Sequence, residues 1–203
     1  MSETGMNTAN PLDGARKPGT VGPPLPGVEC LVVNDASEAL PAGETGNLWV
    51  RGPNVFQGYW QNVEKTAESF TSDGYFKTGD LAVVDDDGYI SIVGRSKDLI
   101  ITGGLNVYPK EIELVLDAID GVMESAVIGL PHPDFGESVC AVIVSLPEVD
   151  LTAELIYDQI KPLLANFKTP KKIFFIQNLP RNTMGKVQKN QLREQFSDAA
   201  HNP

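Results

Sequence analysis

The run GRSKDLIITGGLNVYPKEIE, residues 94–113, decides how this chain folds and where it divides. Two short aliphatic segments, residues 99–101 and 105–107, flank the pair Gly103-Gly104. Because glycine reaches positive φ at little steric cost, a Gly-Gly pair between two such segments is typical of a tight β-hairpin. Taken alone, the run predicts a structural connection of this kind and implies no function.

A helix is predicted directly after the hairpin. Pro109 suits the first helical position, because the N–H that it lacks would have no partner there. Glu111 and Glu113 follow at positions where the helix dipole favours negative charge. The run 94–113 is therefore interpreted as a hairpin that leads into a helix.

The pattern of the chain changes within this run. Residues 1–20 show no apolar periodicity and are interpreted as loop. Residues 21–96 hold short strand patterns between Gly-rich turns, which predicts a small β-barrel-like subdomain. Residues 97–203 mix strand and helix patterns, including a helix over 152–167 that Pro162 should kink or break. The predicted fold class is α+β, with a compact mixed α+β domain at the C-terminal end.

Composition argues against several classes of protein. The formal net charge of −11 opposes a general nucleic-acid binder. No run of about 18 apolar residues is present, so no membrane span is expected. The first residues lack the basic-then-apolar pattern of a secretion signal.

The two cysteines, Cys30 and Cys140, lie far apart in apolar runs and have no neighbours at metal-ligand spacing. They are predicted to be reduced core residues of a cytoplasmic protein. With only two histidines in the chain, a histidine-based triad or zinc site is not expected.

A basic block interrupts the acidic chain between residues 161 and 193, a stretch without Asp or Glu. Such a block is usually a solvated face, and it can also supply a local field for an anionic ligand. Its members are Lys161, Lys168, Lys171, Lys172, Arg181, Lys186, Lys189 and Arg193.

Four stretches carry chemistry when they are taken together. Residues 1–5, MSETG, place a hydroxyl beside a carboxylate, and residues 75–80, YFKTGD, end on a carboxylate. The opening run 94–113 comes next, and residues 180–187, PRNTMGKV, place a lysine after a Gly-containing loop. Each alone has an ordinary explanation as a turn, a cap or a surface lysine.

In this order the four stretches resemble the adenylate-forming superfamily, which includes acyl-CoA synthetases, firefly luciferase and the adenylation domains of peptide synthetases. Within it, the runs SETGMNTANP, GPNVFQGYW, DLIITGGLNVYPKEIE, PHPDFGE and LPRNTMGKVQKNQLRE are similar to malonyl-CoA synthetases. The resemblance covers essentially the whole chain. It implies that the chain is the C-terminal fragment of such an enzyme: residues 1–20 as a loop remnant of a large N-terminal domain, residues 21–96 as a barrel subdomain, and residues 97–203 as a mobile lid.

The resemblance also implies an acyl-AMP mechanism that uses ATP, Mg²⁺ and CoA. Glu3 aligns with the Mg²⁺ ligand, and Ser2 with the neighbouring hydroxyl that contacts phosphate. Asp80 aligns with the carboxylate that accepts the ribose hydroxyls, and Arg95 with an arginine near ribose and phosphate. Lys186 aligns with the catalytic lysine that bridges the carboxylate and the α-phosphate.

Further roles follow for the opening run. Lys97 aligns with the hinge about which the small domain rotates between the two half-reactions. Gly103 and Gly104 should line the pantetheine channel in the second half-reaction. In this superfamily the residue that aligns with Lys186 is also a target of acylation, which removes its charge.

The substrate is the least determined feature. The run GMNTANP after Glu3 favours malonate or methylmalonate, although the cation that would hold the distal carboxylate is expected outside this chain. Three alternatives stay open: a medium- or long-chain acyl-CoA ligase, an adenylation domain that loads a carrier protein, and a non-catalytic binding module that uses the basic block.

Overall fold

The computed structural model describes residues 1–197, and within them the chain forms two compact units. The first ends at Lys97 and the second begins at Asp98. Residues 198–203, the end of the predicted C-terminal domain, lie outside the described residues. The strands are β1 (Glu29–Val33), β2 (Thr45–Arg51), β3 (Phe76–Val84), β4 (Ile90–Arg95), β5 (Ile100–Thr102), β6 (Leu105–Val107), β7 (Val122–His132), β8 (Gly136–Ser145) and β9 (Lys172–Phe175). The helices are α1 (Val63–Ser69), α2 (Pro109–Asp117), α3 (Ala153–Ile160) and α4 (Lys189–Gln195), and Ser96–Asp98 form a 3₁₀ turn.

The first unit is built on a four-stranded antiparallel sheet in the order β1-β2-β3-β4. Alternate residues of β2 are buried, as expected for a strand that packs one face against a core. That core includes Val32, Leu48, Val50 and Ile90. The α+β class is confirmed. Among the described residues, the four strands form an open sheet rather than a closed barrel.

Residues 1–20 have no helix or strand, as predicted, and yet they are fixed to the first unit. Tyr89 donates its hydroxyl hydrogen to the carbonyl of Ala15 at 2.6 Å, and Lys17 Nζ lies 2.5 Å from Asp85 Oδ2. An isolated bridge joins Thr8 to Pro24. The segment is therefore an ordered wall of the unit despite its loop-like sequence.

The second unit is built on a five-stranded mixed sheet. β8 pairs with β7 and β5 in antiparallel fashion and with β9 in parallel. Residues 139–144 of β8 are all buried, which indicates that both faces of this strand are covered. On one face lie Ile112 of α2 and Ile156 of α3, and on the other lies Leu192 of α4.

The opening run forms the predicted hairpin and helix. Thr102 pairs with Leu105, and the two residues between them, Gly103 and Gly104, have φ values of +56° and +80°. Both angles lie in the left-handed region, which only glycine adopts at little cost. Helix α2 begins at Pro109, in the position expected from the sequence.

The helix predicted over 152–167 is shorter in the structure: α3 ends at Ile160. Thr152 caps its start by accepting from Leu155 N at 3.3 Å. Pro162 lacks the N–H that would continue the helix, which accounts for the early end. Across the described residues, no helix is long and apolar enough to cross a membrane.

Candidate functional site

A cleft of about 300 Å³ in the first unit brings together parts of the chain that are distant in sequence. Asp80 and Thr78 of β3 line it, together with Met1 and Gly5 of the first predicted motif. Ser2 and Glu3 stand between these two residues but do not themselves line the cleft. The fold thus places the first two predicted motifs at one site.

Asp80 was expected just before a strand and instead lies inside β3, where it pairs with Arg95 of β4. The Asp80 Oδ1–Arg95 Nε distance is 2.8 Å, and the side chains are 18% and 42% exposed. The register of the two strands shifts between Leu81 and Ala82. Such a bulge redirects side chains locally and is common beside functional sites. Asp80 and Arg95 therefore form a half-exposed charged pair at the cleft.

Thr78 forms hydrogen bonds to both members of this pair. Its buried hydroxyl donates to the carbonyl of Leu48 at 2.7 Å and accepts from Asp80 N at 3.0 Å. The carbonyl of Thr78 also accepts from Arg95 Nη1 at 3.1 Å. The sequence did not identify Thr78 as a site residue, although it lies within the run YFKTGD.

The first motif forms a tight turn, in which Gly5 N donates to the carbonyl of Met1 at 2.8 Å. The Glu3 carbonyl accepts from Phe56 N at 2.8 Å, and Tyr59 OH lies 3.4 Å from Glu3 Oε1. Burial raises the pKa of Tyr59, and the Glu3 carboxylate raises it further. Ser2 is exposed.

The turn Ser96–Asp98 is tied down on both sides of Lys97. Ser96 Oγ donates to Asn47 Oδ1 at 3.0 Å within the first unit. Asp98 Oδ1 accepts from Arg193 Nη2 at 3.0 Å within the second unit. Lys97 itself is exposed and has no ion pair among the described residues. Each neighbour of Lys97 is therefore held by its own unit.

Lys186 lies on a short ordered loop, residues 181–188, which we call the lysine loop. Asn182 organises it: its Oδ1 accepts from Met184 N at 3.0 Å and from Lys186 N at 2.9 Å. Gly185 has a φ of +78°, and its carbonyl accepts from Arg181 Nη1 at 2.7 Å. The Lys186 side chain projects from this frame and is exposed, with no partner among the residues that the structure describes.

The Gly103-Gly104 turn is exposed at the edge of the second unit. Gly103 N donates to the carbonyl of Phe135 at 2.9 Å, and a Cβ at Gly104 would meet no atom within 4 Å. Phe135 is 52% exposed and its ring lies 4.9 Å from that of His132. The turn is open to a ligand that needs close approach to the backbone.

Glu113 lies outside the first turn of α2, so it does not interact with the helix dipole in the way expected from the sequence. Only Glu111 lies in the first turn of α2, whereas Glu113 is 7% exposed and faces the sheet. Its Oε1 accepts from Val127 N at 3.0 Å and from Lys189 Nζ at 2.5 Å. Sequence reasoning missed this contact because it joins residues far apart in the chain.

At least half of the basic block is neutralised within the second unit. Four of its members form ion pairs with acidic residues that lie outside the block in sequence. These pairs are Lys168–Glu111, Arg181–Glu124, Lys189–Glu113 and Arg193–Asp98. The block is thus not a continuous cationic face, which weakens the alternative of a nucleic-acid binding module.

Two family models match parts of this chain. The model of the AMP-binding enzyme family matches residues 1–60, and that of the AMP-binding enzyme C-terminal domain matches residues 111–186. Both matches overlap predicted motifs: residues 1–5 in the first, and part of the opening run with Lys186 in the second.

Two curated relatives and one solved structure illustrate the likeness. A malonate–CoA ligase of Arabidopsis thaliana is 41% identical, over 98% of this chain and 34% of that protein. A long-chain-fatty-acid–CoA ligase of Yersinia pestis is 39% identical, over 93% of this chain and 33% of that protein. The crystal structure of ATP-bound MatB from Rhodopseudomonas palustris is 54% identical, with a TM-score of 0.93, over 98% of this chain and 40% of that one. This chain therefore spans about a third of the length of the curated relatives it matches.

Proposed function

Because this chain belongs to the AMP-binding enzyme family, we propose that it forms the C-terminal portion of an ATP-dependent acyl-CoA synthetase that acts on malonate or methylmalonate. The observation that carries this proposal is the cleft of the first unit, which Asp80 lines together with Met1 and Gly5–Thr8. The relatives are CoA ligases, and a solved neighbour binds ATP. Since the chain spans a third of these relatives, the activity is proposed for the protein that also contains the large N-terminal region.

The proposed reaction has two steps. A carboxylate oxygen of the substrate attacks the α-phosphorus of ATP, and the bond to pyrophosphate breaks to give acyl-AMP. The thiol of CoA then attacks the acyl carbonyl, loses its proton and releases AMP. Both steps develop negative charge on oxygen, so positioned positive charge and hydrogen-bond donors are the main requirement.

The cleft residues would bind the nucleotide. Asp80 would accept hydrogen bonds from the ribose hydroxyls, and its ion pair with Arg95 orients the carboxylate. Arg95 would lie near ribose and phosphate. Ser2, exposed in the turn beside the cleft, would contact phosphate.

Glu3 fits the chemistry of a magnesium ligand. Mg²⁺ is usually held by one or two carboxylates together with substrate phosphates and water, rather than by an all-protein cage. No cluster of three ligating side chains occurs among residues 1–197, so a single carboxylate such as Glu3 suits that mode. When bound, Mg²⁺ would neutralise phosphate charge. Glu3 would orient it, with its carboxylate close to Tyr59 OH.

Lys186 would serve the first step. A lysine carries a compact charge on a long stem, so it can bridge the attacking carboxylate and the α-phosphate. The ordered lysine loop would present this charge without the entropy loss of an unstructured segment. Acylation of Lys186 would remove the charge and stop adenylation.

Gly103 and Gly104 would serve the second step. Their open turn would allow the pantetheine arm of CoA to pass close to the backbone. Lys97 would act as the hinge between the steps, because the residues on either side of it are held by different units.

The proposal is tested by joining this chain to the part of Rhodopseudomonas palustris MatB that it does not match. Pyrophosphate release is then measured with ATP, Mg²⁺ and a panel of carboxylates, with and without CoA. We expect release with malonate or methylmalonate, and thioester formation when CoA is added. Absence of pyrophosphate release with every acid, in a chimera shown to be folded, would refute the proposed activity.

Substrate choice needs a separate experiment. The two curated relatives above are named for different acids, yet they are similarly identical to this chain. Residues 6–10 adjoin the cleft, and we propose that they favour a short dicarboxylate. Exchanging them for the corresponding residues of the Yersinia pestis ligase should lower the preference for malonate over octanoate. An unchanged preference would remove the support for the dicarboxylate. Replacing CoA with a phosphopantetheinylated carrier protein tests the alternative of a carrier-loading enzyme.

A further inference from the structure

The lysine loop is anchored at both ends by ion pairs to the rest of the second unit. At its start, Arg181 pairs with Glu124 of β7. Just beyond its end, Lys189, the first residue of α4, pairs with Glu113 of α2 at 2.5 Å. Between these anchors, Gln188 N donates to the carbonyl of Pro180 at 2.8 Å and closes the base of the loop.

The Glu113–Lys189 pair is the more buried of the two anchors. The Glu113 and Lys189 side chains are 9% and 16% exposed, against 27% and 44% for Glu124 and Arg181. Glu113 also accepts from Val127 N, which fixes its carboxylate against β7. A buried charge that loses its partner is strongly unfavourable, so this carboxylate holds Lys189 in place more firmly than a surface pair would.

We propose that Glu113 is a positioning residue for Lys186, acting through Lys189. Lys189 lies three positions after Lys186, and its side chain fixes the first turn of α4 against α2 and β7. The direction in which the loop presents Lys186 is therefore set by a buried carboxylate whose contacts, to Val127 and Lys189, lie outside the loop. This proposal deepens the proposed function of Lys186 and rests on it only for the catalytic consequence.

The same helix provides a matched control. Glu111 of α2 also pairs with a lysine of the basic block, Lys168, at 2.7 Å. That pair is 42% and 24% exposed, and neither residue is in the lysine loop or in α4. If losing any ion pair of α2 merely destabilises the unit, Glu111→Gln should show the same loss of stability. A specific effect on the lysine loop should be absent from Glu111→Gln.

The first experiment needs no enzymatic activity and uses this chain as it stands. Hydrogen exchange of the backbone amides is compared in the wild type, Lys189→Met, Lys189→Arg, Glu113→Gln with Lys189→Met, and Glu111→Gln. We expect the amides of Met184 and Lys186 to exchange about 10-fold faster in Lys189→Met, with recovery in Lys189→Arg and unchanged β8 amides. The double variant removes both charges, so it keeps the fold while the loop stays loosened.

Three outcomes of this experiment would overturn the proposal. One is unchanged exchange in the lysine loop in both Lys189→Met and the double variant. Another is equal acceleration in the loop and in β8, which would mean a general loss of stability. The third is a matching acceleration of the loop in Glu111→Gln.

The second experiment measures the catalytic consequence in the MatB chimera. We expect pyrophosphate release to slow about 10- to 100-fold in Lys189→Met, while thioester formation from preformed acyl-AMP is unchanged and Lys189→Arg restores the rate. Normal adenylation in Lys189→Met, with Lys186→Ala impaired, would overturn the positioning role alone. Normal adenylation in Lys186→Ala would instead overturn the proposed function of Lys186, and the exchange result would still decide whether Glu113 holds the loop.

Discussion

Arg95 Nε lies 2.8 Å from Asp80 Oδ1, across neighbouring strands of the first unit. The two residues are register partners at the end of the β3–β4 pairing, next to a bulge. A charge-assisted hydrogen bond of this kind limits the rotation of the carboxylate. Asp80 is thereby prepared to accept two hydroxyl hydrogens from a ligand in the cleft.

Replacing Asp80 by Asn should weaken nucleotide binding. The amide has one acceptor oxygen instead of two and carries no negative charge, so we expect the KM for ATP in the MatB chimera to rise about 10-fold or more. Glu29→Gln is the matched control, since Glu29 pairs with Arg51 in the same sheet without lining the cleft. An equal rise in KM in both variants would contradict a role for Asp80 in binding.

Replacing Lys186 by Ala should separate the two half-reactions. Loss of the positive charge removes stabilisation of the adenylation transition state, and we expect pyrophosphate release to fall about 100-fold or more. Thioester formation from preformed acyl-AMP should change little. Lys65→Ala, an exposed lysine of α1, serves as control. An equal loss in both half-reactions would refute the bridging role.

Replacing Gly104 by Ala should slow thioester formation selectively. Alanine at a φ of +80° is strained, and we expect a loss of about 1 kcal/mol in the free energy of unfolding. Gly88→Ala carries the same strain, at a φ of +81°, in the β3–β4 turn. We expect both variants to lose similar stability, and only Gly104→Ala to form thioester about 10-fold more slowly. Slower adenylation in Gly104→Ala would contradict the assignment to the second step.

The cysteines should be unreactive while the chain is folded. Burial raises the pKa of the Cys30 thiol to about 11, and burial also raises that of Cys140. Since the thiolate is the nucleophile, Cys30 at pH 8 should react with iodoacetamide about 100-fold more slowly than an ordinary cysteine. Mass spectrometry of labelled folded and urea-unfolded chain measures this ratio. Cys30 is only half-buried, unlike Cys140, so it was not the fully buried core residue expected from the sequence. Rapid labelling of folded Cys30 would contradict its raised pKa.

The ion pair between Lys17 and Asp85 should stabilise the first unit over a defined range of pH. The hydrogen bond with Lys17 lowers the pKa of Asp85, and that same bond raises the pKa of Lys17. The Asp85 contribution is present above its unfolded pKa of about 3.9 and is lost as pH falls through the folded value. The Lys17 contribution is present below its unfolded pKa of about 10.4 and is lost as pH rises through the folded value.

We therefore expect the Tm difference between wild type and Lys17→Met to be constant between about pH 5 and pH 9, and to shrink in acid. Thermal unfolding followed by circular dichroism measures this difference. Lys65→Met, in which no ion pair is lost, should show no such pH dependence. A difference that persists below pH 3 would indicate that Lys17 acts through packing of its stem instead.

Local signals predicted several elements correctly. The Gly103-Gly104 turn, the start of α2 at Pro109 and the early end of α3 before Pro162 all depend on backbone angles or missing N–H groups of single residues. Such constraints act within a few positions of the chain, so they can be read from the residues themselves. The first compact unit ends at Lys97, within the same run.

Other features depended on the strand register and could not be read locally. Asp80 lies inside β3 rather than before it. The strand begins at Phe76 and does not end at Gly79, although Gly79 has a φ of +73°. The first sheet stays open, a property that strand number alone does not determine. The hydrogen bonds of Thr78 beside Asp80 and the burial of Glu113 could not be predicted from the hydrophobic periodicity of the sequence.

The sequence by itself determined the hairpin and helix of residues 94–113, the α+β class and the identity of the polar residues that chemistry requires. These follow from local backbone sterics and from motifs that are contiguous in the chain. Only the tertiary structure decided which of those residues meet: Asp80 with Arg95 at a cleft beside residues 1–8, and Glu113 with Lys189 behind the lysine loop. Charges separated by 76 positions come within 2.5 Å because α2 and α4 pack against the same strand, β7. Such a pairing follows from packing and has no counterpart in local sequence.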